Sequence, residues 1–319
     1  MTPTAEEHAE RYDLHGLRQQ MLRESSGTID DSIPELAAAS ADVCGIAIVD
    51  DDGDTRTTPD ADLEFSVQSA VKPFVYALAL VDDRERVLDA VGTEPTGEAF
   101  DAIVLESETG RPPNPMVNAG ALLTANLVDG STPDERFARI LSGISAFAGR
   151  ELTVDENVSR SEQLLGDRNR ALGYLMRSRG TLDIEVDDAV SVYARACSIV
   201  VTAEVLATMG ATLAFGGRNP VTGEQVVPRQ VVPIVLSIMA TCGMYDGSGR
   251  WMRRVGLPAK SGVAGGLVAS VPWQLGLGVY SPPLDGEGNS VRGVLACEKL
   301  SDDMGLHVFG PPRDEARYR

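Results

Sequence analysis

The feature that most constrains this chain is where its extended segments stand: at the two ends, with a long helical text between them. Gly45-Ile-Ala-Ile-Val49, Asp50-Asp-Asp-Gly-Asp54 and Thr55-Arg-Thr-Thr58 read as a β-hairpin turned at Asp52-Gly53. A calcium loop is the sharper reading of those aspartates, but it needs glycine at its sixth position, where Thr55 stands. Residues 5–40 read as amphipathic helix, with a second short helix over 33–39. From Ser69 to about Thr241 the pattern is mostly helical. Asn114-Pro115 reads as an N-cap followed by Pro at the first helical position, and Gly180, Gly216-Gly217 and Gly243 read as stops. After Pro258 the pattern turns extended again over 260–263, 267–271 and 273–280, and a last helix is expected over 289–300. These segments predict an α+β fold: one antiparallel sheet built from both chain ends, with a helical subdomain inserted. We expect a single domain over 1–319, its sheet parts at about 28–68 and 256–319 and its helical part at about 69–255.

Charge and rare residues narrow the function. The 319 residues carry 28 Lys+Arg against 47 Asp+Glu, a net charge of −19, which argues against nucleic acid or an anionic membrane as partner. The chain opens with no basic and apolar leader. Its longest apolar stretch, 231–244, is broken by Pro233, Ser237 and Thr241 and is too short to span a bilayer. A cytoplasmic protein is the expectation. Cys44, Cys197, Cys242 and Cys297 lie far apart in apolar contexts, so buried reduced thiols are expected rather than a disulfide frame or zinc site. The histidines are only His8, His15 and His307, and none sits in a Ser-His-Asp or HExxH setting. A hydrolase built on this chain takes its base from Lys, Tyr or a carboxylate.

Three constellations can carry such chemistry. Ser69-Ala-Val-Lys72, ahead of the apolar run Pro73-Phe-Val-Tyr-Ala-Leu-Ala-Leu80, puts a hydroxyl and an amine one turn apart at a helix start. Lys72 acts as a base only when neutral, which needs its pKa lowered by burial and a second cation. The bland reading, a capping serine and a solvated lysine, stays open on this motif alone. Lys260-Ser-Gly-Val263 resembles the Lys-Thr-Gly strand that pairs with Ser-x-x-Lys in serine β-lactamases and penicillin-binding proteins. A phosphate loop fails there because Ala259 replaces the required glycine, and a strand edge offering the Val263 N–H to an oxyanion is the better use. On a helix beginning near Ser161, Glu162 and Asn169 stand seven apart and share a stripe with Leu165, Leu172, Gly173 and Met176, while Leu164, Ala171 and Leu175 cover the opposite side. That helix is expected to be buried on two faces, its polar pair satisfied by protein or by a ligand. Tyr193, in the stripe of Val190, Ala194, Cys197 and Val200, and Tyr245, in a loop past a helix end, are phenols able to shuttle a proton if Lys72 and Lys260 lower their pKa.

At this point the sequence is identified as similar to the serine-dependent glutaminase family, hydrolases of free L-glutamine. The blocks that carry the resemblance are Val67-Gln-Ser-Ala-Val-Lys-Pro73, Val91-Gly-Thr-Glu-Pro-Thr-Gly97, Asn114-Pro-Met-Val-Asn-Ala-Gly120 and Ser161-Glu-Gln-Leu-Leu-Gly-Asp-Arg-Asn169. Leu213-Ala-Phe-Gly-Gly-Arg-Asn-Pro220, Gly243-Met-Tyr-Asp246 and Pro258-Ala-Lys-Ser-Gly-Val263 follow in order, and the likeness runs from about Thr28 to Phe309. The resemblance implies a β-lactamase/transpeptidase-like fold and hydrolysis of glutamine to glutamate and ammonia through a serine-linked glutamyl enzyme. It implies Ser69 as nucleophile, Lys72 as its base, and the Ser69 and Val263 N–H groups as oxyanion hole. Tyr245 is implied to handle a proton or orient a hydroxyl, with Lys260 alongside. Gln68, Asn118, Glu162, Asn169 and Tyr193 match substrate-binding positions. No metal or organic cofactor is implied, and a homodimer or homotetramer is expected. Three residues depart from the pattern: Ser32 where the family has tyrosine before Ile33-Pro34, Phe215 in place of asparagine, and Asp101 in place of asparagine after Phe100. The rival readings are a β-lactamase-like acylase or transpeptidase on another amide, and a glutamine-binding protein without turnover.

Overall fold

Ile46 and Ile48 point to one side of a strand and Ala47 and Val49 to the other, and both sides are buried. That is why Gly45–Val49 reads as an unbroken apolar run rather than as an alternating one. The computed structural model describes residues 12–97 and 104–310. In it, β1 (Gly45–Val49), β2 (Thr55–Thr57), β5 (Ala259–Ser261), β6 (Gly266–Val271) and β7 (Leu275–Tyr280) form an antiparallel sheet in the order β2-β1-β7-β6-β5. The register pairs Ile46 with Val279 and Lys260 with Val268. Chain ends separated by some two hundred positions are thus neighbouring strands, the α+β arrangement read from the sequence.

Two cores flank the sheet. One face packs on helix Leu14–Met21 and helix Val291–Met304 through Leu14, Leu17, Leu300 and Met304. The other meets helix Ala203–Ala214 and, beyond it, the remaining helices. Gly276 and Gly278 of β7 make that second contact close: a Cβ on Gly278 would strike the Ala203 carbonyl, and one on Gly276 the Ala207 carbonyl. A small ladder, β3 (Phe65–Ser66) with β4 (Val200–Val201), ties the chain just before Ser69 to the end of helix Val186–Cys197. Val67 N–H extends it to the Ile199 carbonyl at 2.8 Å.

Several sequence boundaries move. The expected N-terminal helical region contains Leu14–Met21 and the single turn Pro34–Ala37, with irregular chain through Gly27; residues 5–11, His8 among them, lie outside the described residues. Asn114 caps no helix. Its side chain accepts the N–H groups of Met116 and Val117 in a turn, and the helix starts only at Asn118. Trp273 is a turn residue with φ of 62° and not part of β7. The last helix runs Val291–Met304, begun by the Ser290 cap and ended by Gly305 at φ of 60°, so it continues one turn past the expected stop. All four cysteines are buried free thiols, and among the described residues no helix is long and apolar enough to cross a membrane.

Candidate active site

The turn Gln68–Val71 leads into helix Lys72–Asp82, whose Phe74–Leu80 run is buried on every side. Gln68, just before the serine, holds φ at 49°, a conformation that a non-glycine residue adopts only when its surroundings enforce it. The enforcement is visible opposite, at Gly262. A Cβ there would lie 2.9 Å from the Val67 carbonyl and 3.2 Å from the Ala70 nitrogen, so the loop after β5 sits directly on the serine turn. Neither the Ser69 nor the Val263 N–H donates to a backbone carbonyl among the described residues, which leaves both for an incoming oxyanion.

Lys72 is 1% exposed and Lys260 is 0% exposed. Lys72 Nζ donates to the Met116 carbonyl at 3.1 Å and to Asn118 Oδ1 at 2.8 Å. Burial lowers its pKa to about 8, opposed by the nearby Cys197 and Glu162. Lys260 Nζ donates to the Ser261 carbonyl at 2.6 Å and lies 4.0 Å from the centre of the Tyr245 ring. Burial holds it well below the usual lysine range, and the Lys72 cation adds to that. The solvated-lysine reading of Ser-x-x-Lys is therefore excluded.

Tyr245, at φ of 53°, opens the turn Tyr245–Gly247. Its hydroxyl donates to the same Ser261 carbonyl at 3.1 Å and is hydrogen-bonded to Ser69, which is 7% exposed. Burial raises the phenol's pKa above its ordinary value against the lowering effect of Ser69, and Tyr193 is likewise raised by burial. The condition set on the sequence, phenols lowered by Lys72 and Lys260, is not met: burial is the largest influence on both tyrosines and raises them, so both are neutral hydroxyls.

Asn118 joins the remaining groups. Its Oδ1 also receives the Tyr193 hydroxyl at 3.4 Å, and its Nδ2 faces Asn169 Oδ1 at 3.4 Å. The Glu162 carboxyl is raised by burial and held back by a hydrogen bond from Gln68, with Asp30 and Glu35 repelling it. Glu162 and Asn169 do not share a helix. The first helix, Glu156–Leu164, ends at Leu165-Gly166, and a second, Asp167–Ser178, begins there. Leu164 and Leu165 are 71% and 60% exposed at this break, so the expected two-sided burial fails, although Leu172 and Met176 are buried as read.

All ten sequence-named residues thus meet around one centre: Gln68, Ser69, Lys72, Asn118, Glu162, Asn169, Tyr193, Tyr245, Lys260 and Val263. The departures do not. Ser32 is exposed, and its hydroxyl is taken by Asp30 within its own loop. Phe215 closes helix Ala203–Ala214, its N–H donating back to the Ala211 carbonyl at 2.8 Å and its carbonyl accepting the Arg218 N–H in the following turn. Asp101 and Phe100 lie outside the described residues. The sequence missed the Met116 and Ser261 carbonyls, since a backbone acceptor leaves no mark in composition. Cys197 is core as read, and its place four residues after Tyr193 also puts its thiol against that phenol. Among the described residues no three of His, Cys, Asp or Glu are placed to hold a metal ion. Two cavities flank Tyr245, of about 350 Å³ and about 400 Å³.

Comparison with known proteins agrees with this geometry. The sequence pattern of the Glutaminase family matches residues 27–309. A glutaminase of Clavibacter michiganensis is 61% identical over 306 residues, covering 96% of this chain and 94% of that protein. A glutaminase of Microcystis aeruginosa is 48% identical over 291 residues, covering 91% and 86%. Among solved structures, Mglu in its glutamate form superposes with a TM-score of 0.89 at 44% identity, covering 93% of this chain and 69% of that one. The probable glutaminase ybaS has a TM-score of 0.89 at 39% identity, covering 93% and 99%.

Proposed function

The chain belongs to the glutaminase family, and we propose that it hydrolyses L-glutamine to L-glutamate and ammonia through a glutamyl ester on Ser69. The observation that carries this reading is Lys72: a lysine buried one turn from the serine, with its pKa lowered to about 8. A substantial fraction of it is neutral at mildly alkaline pH, so its Nζ takes the Ser69 proton as Oγ bonds to the side-chain amide carbon. The negative charge on the former carbonyl oxygen is met by the free N–H groups of Ser69 and Val263. The C–N bond then breaks, and the nitrogen leaves as ammonia with a proton returned from Lys72. Water adds to the ester by the reverse sequence and frees glutamate. Tyr245 hydrogen-bonds Ser69 and the Ser261 carbonyl at once, which supports a role in orienting the nucleophile and passing its proton. Lys260, beneath the ring, positions Tyr245.

In this reading Glu162, steadied by Gln68, pairs with the substrate α-ammonium, and Asn118, Asn169 and Tyr193 hold the α-carboxylate. One domain performs the reaction, in the cytoplasm, a setting supported by four unpaired buried thiols. The assembly is read as a homodimer or homotetramer, supported by the exposed Leu164, Leu165 and Tyr174; a monomer by light scattering sinks that part. The function itself is tested by ammonia release from glutamine, asparagine and a β-lactam. Turnover of glutamine is expected. Hydrolysis of the β-lactam alone returns the acylase reading, and glutamine binding without ammonia the binding-protein reading.

A further inference from the structure

The cavity of about 400 Å³ beside Tyr245 has an unusual wall. It is formed by chain segments 28–31 and 284–288 together with Tyr245, Asp246 and Val263. Five lining side chains are carboxylates, Asp30, Asp31, Asp246, Asp285 and Glu287, and none is Lys or Arg. Arg250 pairs with Glu287 at 2.8 Å and also attracts Asp285 and Asp246, so one guanidinium stands against these carboxylates and the wall keeps a net negative charge. Asp285 is fixed by the N–H groups of Glu287 and Asn289, and Asp30 by that of Ser32. The same cavity touches Tyr245 and Val263, and its Asp30 carboxylate acts electrostatically on both Tyr245 and Glu162 of the site.

We propose that this acidic rim discriminates substrate from product, with Asp30 and Asp246 as specificity-determining residues. The inference rests on the glutaminase reading and extends it. Glutamine carries no net charge, whereas the reaction yields a glutamate anion and an ammonium cation at neutral pH. A cleft lined by one sign of charge focuses its field on whatever passes through it. The rim therefore leaves glutamine nearly unaffected, repels glutamate and draws ammonium outward. The chain's overall −19 cannot substitute for it, because charges beyond about 8 Å are largely screened at physiological ionic strength.

The test is the double variant Asp30→Asn/Asp246→Asn, with KM for glutamine and the inhibition constant of glutamate measured at low salt and in about 1 M NaCl. At low salt the glutamate constant should fall about three- to tenfold while KM moves less than about twofold, and in high salt variant and wild type should converge. An unchanged ratio of the two constants at low salt overturns the inference, as does a change that high salt leaves in place. If the double variant does not fold, Asp246→Asn alone carries the same test with a smaller shift. A wild-type protein that releases no ammonia from glutamine overturns the glutaminase reading beneath it, an outcome distinct from the others.

Discussion

The floor of the site and its rim are built by opposite rules. On the floor Lys72, Lys260 and Ser261 are sealed from solvent, and each amine is satisfied by a named carbonyl or amide. Water cannot stand in for a lost partner there, so each change leaves a buried polar group unmet. At the rim Asp31, Ser32 and Asp246 are exposed, and solvent replaces whatever a substitution removes. Under the proposed mechanism the floor controls the chemical step and the rim controls which ligand is held. Floor substitutions should therefore act on kcat, and rim substitutions on KM and inhibition.

The largest effects belong to the floor. Ser69→Ala and Lys72→Ala should each lower kcat by about a thousandfold or more while glutamine binding and the fold persist. Ammonia release above a tenth of wild type in either variant would break the division at once. The pH profile comes next in size. In the proposed mechanism the neutral form of Lys72 is the base, so kcat/KM should rise about tenfold per pH unit below the lysine's pKa of about 8 and level off above it. A flat profile from pH 5 to 9 would assign the proton to a carboxylate or place the slow step elsewhere. The sign for stability agrees. Between pH 8 and the ordinary lysine value of 10.5 the unfolded chain binds a proton that the folded chain lacks, so this residue's contribution to stability rises with pH across that window.

Gly262→Ala probes how tightly the floor is closed. The added methyl would press on the Val67 carbonyl and the Ala70 nitrogen, shifting the serine turn against the Val263 N–H. We expect about a tenfold loss in kcat and a destabilisation of about 1–3 kcal/mol, with KM little changed. A variant with wild-type kcat would show that the loop yields without disturbing the oxyanion hole.

The same division explains what was legible in the sequence. Ser69, Lys72, Lys260 and Val263 stood out because buried chemistry demands fixed residue types at fixed spacings, and the sheet was legible because β1 and β7 are apolar on both faces. The break at Leu165-Gly166 was not, since the apolar stripe continues across it and only the two exposed leucines betray the end of the first helix. The state of the phenols was not legible either, because sequence does not show the burial that raises both tyrosines. The rim left least trace: its five carboxylates come from three distant stretches, and in an acidic chain none is conspicuous.

The smallest expected effect lies on the rim, at Ser32. The family resemblance places a tyrosine there, with a hydroxyl and a ring face toward the substrate, and serine is too short to supply either. The structure adds that the Ser32 hydroxyl is turned to Asp30 and that the side chain is exposed, so nothing from this residue replaces the missing phenol. Phe215, the other large departure, closes a helix end and packs half-buried against the main core. One hydrogen bond to a polar ligand is worth about 0.5–1.5 kcal/mol, up to roughly tenfold in binding. Ser32→Tyr should accordingly lower KM for glutamine severalfold and leave kcat within about twofold, because the Ser69–Lys72 floor is untouched. The Asp30 carboxylate still accepts the backbone N–H of residue 32 at 3.0 Å, so the loop has a reason to keep its shape. A KM that stays level or rises would mean that the acidic rim already orients glutamine without the phenol; a fall in kcat would mean that rim and floor are not separable after all.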